Sequence, residues 1–299
     1  MLDPVILAQI LWTGIATSSP YVLMTAGFAL TLKVTGLWNF GHVGLMAIAF
    51  YSMYFVIDIL GLPVMVALVA AVAVTGVASL TIETYGLQVL RDRGSGNLTF
   101  FIFTLILSEL IIYVITLLFG TEPETLFKSI LSPVRIIGNV AVSDWDILAI
   151  SVAASGLALL YAFLTWTREG QFVGAVADNA RLAELYGISA RRAWQVVSVI
   201  AALFIVAAMY LIGTHGGVVP NSPLELILTA VIGTLLGGIG RVFAGAVAAI
   251  FLGLIQSFSI LVIGSRWQNL LLYGVLFAAI LLFPRGVRLP RLRLISARR

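Results

Sequence analysis

The sequence predicts an all-α fold, a polytopic transmembrane helical bundle with about nine spans, at least one of them broken. Of the 299 residues, 61% are apolar and only 10% are charged, and the mean hydropathy is +1.11. Too little polar surface remains to cover a water-soluble core, so the chain must face lipid. We therefore expect a single transmembrane domain over residues 1–299.

The apolar runs give the order of the spans along the chain. Each run is close to the roughly 20 residues that a helix needs to cross the hydrocarbon core of a bilayer. The first run follows Met-Leu-Asp, without a basic segment or a small-residue cleavage site, so we expect it to be retained as a span. The predicted spans are 9–32, 36–58, 62–83, 98–119, 145–166, 195–213, 224–240, 243–263 and 268–284.

Lysine and arginine are distributed unevenly between the two sides of the predicted bundle. When the predicted spans are threaded, fourteen of the 17 basic residues fall on one side, including six arginines in the tail 285–299. The opposite side receives Lys128, Arg135 and Arg266, and its loop 120–144 is rich in acids. The positive-inside rule then places the N-terminus outside and the C-terminus in the cytoplasm, with the basic tail close to anionic lipid.

Several kinds of catalytic site are absent from the sequence. The chain has no cysteine, and neither Lys33 nor Lys128 follows a glycine, so it has no Walker A loop. His42 and His215 lie far apart and no HExxH spacing occurs, which argues against a zinc site. No basic domain outside the spans is available to bind nucleic acid. We therefore expect no enzyme, no metal site and no cofactor in this chain, with an intramembrane enzyme as a minor alternative.

A polar, glycine-rich break opens the second predicted span, from Gly36 to Gly44. Irregular backbone at membrane depth is tolerated where it is buried in protein or lines a wet cavity, and transporters use such breaks for substrate sites. The alternative is a tight turn in which Asn39 caps the following helix and His42 lies in its first turn. The residues predicted to line a substrate pathway are Asn39, Phe40, Gly41, His42 and Gly44.

Glu109 lies near the middle of the fourth predicted span. A carboxylate at this depth is costly, so Glu109 is a further candidate for the pathway, and a buried or paired structural group is the alternative. Two other breaks suit structural roles. Residues 213–223 favour a loop in which Ser222 or Asn221 caps the next helix, with a second pathway-lining break as the alternative, and the glycines of 233–241 suit close helix packing.

A polar segment, 168–192, separates two apolar runs and holds seven of the charged residues. From Ala177 to Tyr186 it is rich in good helix formers, and Gly187 provides a stop. The sequence predicts a short exposed helix that docks on a partner, with an ordinary surface loop as the alternative. The small, flat face expected to dock comprises Val176, Ala180, Ala183 and Gly187.

Together these segments resemble the permeases of branched-chain amino acid ABC importers. Residues 170–192 contain A-V-A-D-N-x-x-L-A-x-x-x-G-I-S-x-x-R, which is similar to the cytoplasmic coupling segment of that family. Residues 37–42 resemble its N-F-x-H element, 216–220 its periplasmic-side break, 231–240 its V-x-G-G-x-G-S block and 283–286 its closing F-x-P-x-G pattern. The length and the N-F-x-H element favour the shorter of the two permeases. Around His42 the chain departs from the family pattern, with Gly41 before it and Val43-Gly44 after it, which leaves the solute open.

The resemblance implies one half of a transmembrane pathway in a bacterial inner membrane. Its partners would be a second permease, identical or paralogous, two ATP-binding cassette subunits that hold ATP and Mg, a periplasmic solute-binding protein and membrane lipid. The solute would be a branched-chain amino acid or a related amide or carboxylate. The residues seated on the ATPase would be Ala177, Asp178, Arg181, Ala183, Glu184 and Gly187.

A second class of function also fits the residues. Glu109 or His42 could serve as the proton site of a self-sufficient secondary transporter or channel. Co-purification separates the two classes, because an importer permease holds an ATPase that carries a Walker A loop.

Overall fold

The helices of the computed structural model follow the predicted runs closely. The structure describes residues 4–127, 133–263 and 267–282. Its helices are α1 (Pro4–Thr35), α2 (Gly41–Tyr54), α3 (Val64–Thr81), α4 (Gln88–Asp92), α5 (Asn97–Phe119), α6 (Asp144–Trp166), α7 (Arg168–Leu185), α8 (Ala190–His215), α9 (Ser222–Gly237), α10 (Val242–Ile263) and α11 (Gln268–Leu282). Two π-helical turns extend α2 and join α3 to α4, at Phe55–Ile59 and Ile82–Leu87.

Seven helical stretches of the described residues are long and apolar enough to cross a membrane. The chain is therefore a multi-pass helical membrane protein. Each predicted run coincides with a helix, but α9 and α11 have only 16 and 15 residues, so a count of nine stays a prediction. The predicted break is present, because the chain leaves the helical conformation between Thr35 and Gly41. The basic tail 285–299 lies outside the described residues.

A short β-hairpin departs from the all-α prediction. Strand β1 (Val134–Ile137) pairs antiparallel with β2 (Val140–Ser143) inside the loop 120–144. Gly138 and Asn139 connect them with φ angles of 56° and 70°, the positive values that a two-residue type I′ turn requires. The hairpin was not predicted because four-residue strands are too short to show a clear alternation of apolar and polar residues.

Helix α1 lies at the centre of the bundle, and α6, α8, α9 and α10 all pack against it. Several of its hydroxyl groups donate hydrogen bonds to carbonyl oxygens of the same helix. Thr17 bonds to Thr13 at 2.8 Å and Thr31 bonds to Gly27 at 3.0 Å, and Ser18, Ser19 and Thr35 follow the same pattern. These side chains are thus satisfied without a partner from another helix.

Glycines set the closest contacts between helices. A Cβ atom at Gly27 of α1 would lie 3.4 Å from the Cα atom of Ala201 in α8. A Cβ atom at Gly237 of α9 would collide with the backbone of Gly245 in α10. Such close approach of backbones is typical of membrane helices that pack through small residues. The prediction that glycines of 233–241 pack helices closely is confirmed at Gly233 and Gly237, whereas a Cβ atom at Gly240 would meet open space.

Candidate functional site

The polar break before α2 is a compact, hydrogen-bonded turn. The side-chain oxygen of Asn39 accepts a hydrogen bond from the backbone N–H of Gly41 at 2.9 Å. The Nδ1 atom of His42 lies 2.8 Å from the carbonyl oxygen of Asn39, and both side chains are buried. Phe40, one residue later than expected, is the N-cap, yet Asn39 still satisfies a free N–H of the first turn. The local geometry is therefore that of the capped turn.

Helix α5 closes this turn from the side. The hydroxyl oxygen of Thr104 accepts a hydrogen bond from the backbone N–H of Phe40 at 3.2 Å, and the Ser108 hydroxyl donates to the Phe40 carbonyl at 2.7 Å. A Cβ atom at Gly44 would lie 3.3 Å from the Cα atom of Ser108. The absence of a side chain at Gly44 thus allows α2 and α5 to approach closely.

A polar cavity of about 10 Å³ lies beside the turn, which is room for about one water molecule. Its lining includes Asn39, Gly41, His42, Ser79, Glu83 and Ser198. The Nε2 atom of His42 is buried and has no hydrogen-bond partner among the described residues. Three of the predicted pathway residues are therefore brought together, but the space that they enclose is too small for a solute.

A buried ion pair outside the predicted site lies next to this cavity. Arg91 pairs with Glu83, and their side chains are only 12% and 4% exposed. The guanidinium carbon of Arg91 also lies 4.0 Å from the ring centre of Trp194. The third predicted span ended at Glu83, whereas the helical chain continues through a π-helical turn to Asp92. The sequence contains one sign of this ion pair: Glu83 and Arg91 are eight residues apart, which is close to two turns of a helix.

The first turns of α8 are joined to α3 and α4 by a row of polar contacts. The Gln195 amide donates to the Thr84 hydroxyl at 3.1 Å, and Arg191 contacts both carboxylate oxygens of Asp92 at 2.9 Å. Deeper in the bundle, the hydroxyl groups of Ser79 and Ser198 lie 2.9 Å apart. We call these contacts, with the Arg91–Trp194 contact, the α8 seam. The seam connects the polar segment 168–192 to the buried ion pair.

The structure separates Glu109 from the other predicted pathway residues. Thr104 and Ser108 face α2, whereas Glu109 is exposed on the outer side of α5. Within the described parts of the chain, no hydrogen bond or ion pair reaches its carboxylate. Within the described part of this chain Glu109 is therefore neither buried nor paired, and its role, structural or in the pathway, stays a prediction.

Helix α7 forms most of the polar segment and is longer than predicted, because it begins at Arg168. The Thr167 hydroxyl caps it by accepting from the Gly170 N–H at 3.0 Å. At Asn179 the backbone leaves the helical conformation, with φ −161° and ψ 100°. The Asn179 side-chain oxygen then accepts from the Leu182 N–H at 3.0 Å and caps a second helical piece. Gly187 ends α7 with φ 80°, which confirms the predicted glycine stop.

Part of the face of α7 that was expected to dock is turned towards the bundle, whereas Ala180 is half-buried and Gly187 is exposed. Val176 and Ala183 are buried in the main core, so the prediction that they form an exposed docking surface was wrong. Small side chains suit such close packing as well as they suit docking, which is why the sequence did not separate the two roles. The opposite face exposes Asp178, Arg181 and Glu184 together with Leu182, Leu185 and Tyr186. We call these last three residues the apolar edge of α7.

The second polar break, 213–223, is an ordered loop. The backbones of Glu124 and Val218 exchange hydrogen bonds of 3.1 and 2.8 Å. The His215 ring stacks on Trp145 with 4.0 Å between ring centres. The Ser222 hydroxyl oxygen accepts from the Val219 N–H at 3.0 Å. These contacts support a structural role for this break.

Comparison with known proteins adds a family to this geometry. The family described as branched-chain amino acid transport system, permease component, matches residues 10–281. The high-affinity branched-chain amino acid transport system permease protein BraD of Pseudomonas aeruginosa is 24% identical over 293 residues, which cover 93% of this chain and 94% of that protein. The protein LivH of Escherichia coli, with the same description, is 23% identical with the same coverage.

A solved structure, PsaBC from Streptococcus pneumoniae in complex with Fab, matches 89% of each chain with a TM-score of 0.50. At 15% sequence identity this likeness concerns the fold alone. The family match spans most of the chain and agrees with the helical membrane architecture. The chain therefore belongs to the permease components of branched-chain amino acid ABC transport systems.

Proposed function

We propose that this chain is one of two membrane subunits of an ATP-driven importer that moves a branched-chain amino acid, or a related amide or carboxylate, from a periplasmic binding protein into the cytoplasm. The solute is inferred from the names of BraD and LivH. ATP and Mg would bind to the two ATPase subunits rather than to this chain. The N-terminus would lie outside the bacterial inner membrane, with about nine spans that include the short helices α9 and α11.

The observation that carries this proposal is the apolar edge of α7. Leu185 and Tyr186 are 83% and 80% exposed on a polar helix between two spans, on the side that receives most of the basic residues. Apolar side chains this exposed outside a membrane favour coverage by a partner. We assign the ATPase contact to this edge and to the charged residues beside it, Asp178, Arg181 and Glu184. Ala177 and Ala183 would support the contact from the inner face, and Gly187 would end it.

The attachment of α7 suits the transmission of movement. Glu169 at its start forms an ion pair with Arg192 in α8 at 2.7 Å. Only four residues, 186–189, separate α7 from α8. A displacement of α7 by the ATPase would therefore move the start of α8, and the α8 seam would carry that displacement to α3 and α4.

The solute pathway would run beside α5. Glu109 lies on its exposed side, and the turn that contains Asn39, Phe40, Gly41, His42 and Gly44 lies against its buried side. The role of these residues as a pathway lining remains a prediction. A rotation of α5 could change access to the turn, because hydrogen bonds from Thr104 and Ser108 join the two.

The ATPase contact is tested by Leu185→Asp in the assembled complex. We expect the variant to insert into the membrane but to lose the ATPase during purification. Ile136→Asp is the matched control, because Ile136 is 79% exposed on the hairpin, far from the polar segment in sequence. Retention of the ATPase by both variants would contradict the assignment, and an unmodified permease that holds no ATPase would contradict the proposed function itself.

The solute is identified by an uptake assay in which the complex is reconstituted in liposomes and supplied with its cognate binding protein. We expect ATP-dependent uptake of leucine, isoleucine or valine that competes with the unlabelled amino acids. Uptake of an aliphatic amide without competition from these amino acids would move the assignment to the amide class.

A further inference from the structure

The exposed side of α5 has two chemically different faces. Helical geometry, with about 100° per residue, places Glu109, Tyr113 and Thr116 within an arc of about 60°. We call these three residues the α5 polar stripe. Thr116 is only half-exposed, Ile102 lies in line with the stripe, and Ile106 and Leu117 border it. Beyond them the exposed face is apolar and consists of Leu110, Val114 and Leu118. The buried side of the helix packs on α2.

The stripe begins at the middle depth of a span and runs towards the end of α5. Glu109 is the thirteenth of the 23 residues of α5, about 18 Å along the axis from Asn97. Tyr113 is 65% exposed one turn further on. Across the described residues, the Glu109 carboxylate has no hydrogen bond and no ion pair that would offset its charge.

Contact with lipid hydrocarbon is unfavourable for this stripe, although it is favourable for the apolar face beside it. Ionisable side chains at mid-membrane depth face a protein interior or a water-filled cavity, because hydrocarbon cannot solvate them. The bundle of this chain does not cover the stripe, since Glu109 and Tyr113 are both exposed. A second membrane-spanning subunit must therefore face it, and it must leave water or a polar group at that depth.

We propose that the α5 polar stripe faces the second permease subunit across a water-lined route, and that Glu109 gives this route a preference for positively charged groups such as the ammonium group of an amino acid. The inference rests on the proposed function, because it needs an importer with two permease subunits. A carboxylate with low-dielectric walls on both sides concentrates cations, which is the physical basis of the preference. The Tyr113 hydroxyl supplies a second polar group on the same face.

The absence of cysteine makes the route accessible to single-cysteine labelling. We would compare Tyr113→Cys with Val114→Cys, one residue further and on the apolar face, in complexes whose other subunits have been freed of reactive thiols. The probes are two methanethiosulfonate reagents, one with a cationic trimethylammonium-ethyl group and one with an anionic sulfonato-ethyl group. We expect Tyr113→Cys to react at least about tenfold faster than Val114→Cys. At Tyr113→Cys, the ratio of the cationic to the anionic labelling rate should exceed the same ratio for a free thiol in solution by about tenfold. Adding Glu109→Gln should abolish the cationic preference.

A second pair keeps the test decisive if Tyr113→Cys does not assemble. Thr116→Cys is a small change on the stripe, and Leu118→Cys is its control on the apolar face. A photoreactive benzoylphenylalanine at Ile102, which lies in line with Glu109, should join this chain to the second permease, whereas the same group at Val114 should not.

Equal, slow labelling on both faces of α5 would overturn the inference, as would a cationic preference that survives Glu109→Gln. Crosslinking of Ile102 to lipid alone would also contradict it. ATP-dependent uptake by the cysteine-free complex, measured in the same vesicles, separates these results from a failure of the proposed function, because uptake would persist if only the inference were wrong.

Discussion

The guanidinium of Arg91 lies over the indole ring of Trp194, with 4.0 Å between its central carbon and the ring centre. The same guanidinium pairs with the buried carboxylate of Glu83, so one cation in α4 joins α8 to the π-helical turn that follows α3. Trp194 lies only seven residues after Gly187, where α7 ends. The buried charge is therefore placed where any movement of α7 would reach the bundle.

Loss of the Glu83 charge should destabilise the protein strongly. Glu83→Gln leaves the buried Arg91 without a counter-ion, and removal of one partner of a buried pair costs about 3–5 kcal/mol. The double variant Glu83→Gln, Arg91→Met should recover much of this loss. Thermal unfolding in detergent measures both effects. Asp92→Asn, which breaks the exposed pair with Arg191, is the control and should cost less than about 1 kcal/mol. Equal effects of Glu83→Gln and Asp92→Asn would contradict the structural role of the buried pair.

The glycine that ends α7 should be needed for coupling. Gly187 has φ 80°, and a side chain in this left-handed conformation costs about 1–2 kcal/mol. We expect Gly187→Leu to insert normally but to lose ATPase binding and uptake, because the apolar edge would be displaced. Gly174→Ala lies in α7 with open space around it and should leave both unchanged. Co-purification of the ATPase measures the difference, and full retention by Gly187→Leu would count against the coupling role of α7.

Asn39 should act through the start of α2. Asn39→Leu removes the acceptor for the Gly41 N–H and leaves a buried donor unpaired, a cost of about 1–3 kcal/mol. Asn39→Ser keeps an uncharged acceptor oxygen of a kind that caps helices and should restore part of the stability. Thermal unfolding of both variants, together with uptake, distinguishes the capped turn from a pathway lining. A variant Asn39→Leu of normal stability but low uptake would favour the pathway role.

Glu109 separates an ATP-driven importer from a proton-coupled carrier. Glutamine keeps most of the hydrogen-bonding capacity of glutamate at nearly the same volume, so Glu109→Gln should retain at least about half of ATP-dependent uptake. This corresponds to a loss of less than roughly 0.5 kcal/mol. Uptake at constant ATP should not respond to a proton uncoupler. Collapse of uptake under both treatments would indicate that Glu109 changes its charge during transport.

Hydropathy was enough to predict the helices, because their apolar runs are long and separated by glycine or charge. The stop at Gly187 was predicted from a different signal, because glycine commonly ends helices with a positive φ. The orientation of α7 could not be predicted, since Ala183 is small enough for either side of the helix. Arg91 was missed for a related reason: a charge near the end of an apolar run usually indicates a loop, and only the fold shows that Glu83 and Trp194 enclose it.

The hydroxyl bonds within α1 bear on how the protein is made. Most of the helices that will surround α1, namely α6 and α8 to α10, follow it much later along the chain and so leave the ribosome later. Because Thr17, Ser18, Ser19 and Thr31 bond to carbonyl oxygens of their own helix, these four groups are paired as soon as α1 is helical. Their pairing at the centre of the finished bundle therefore does not depend on helices that are made later.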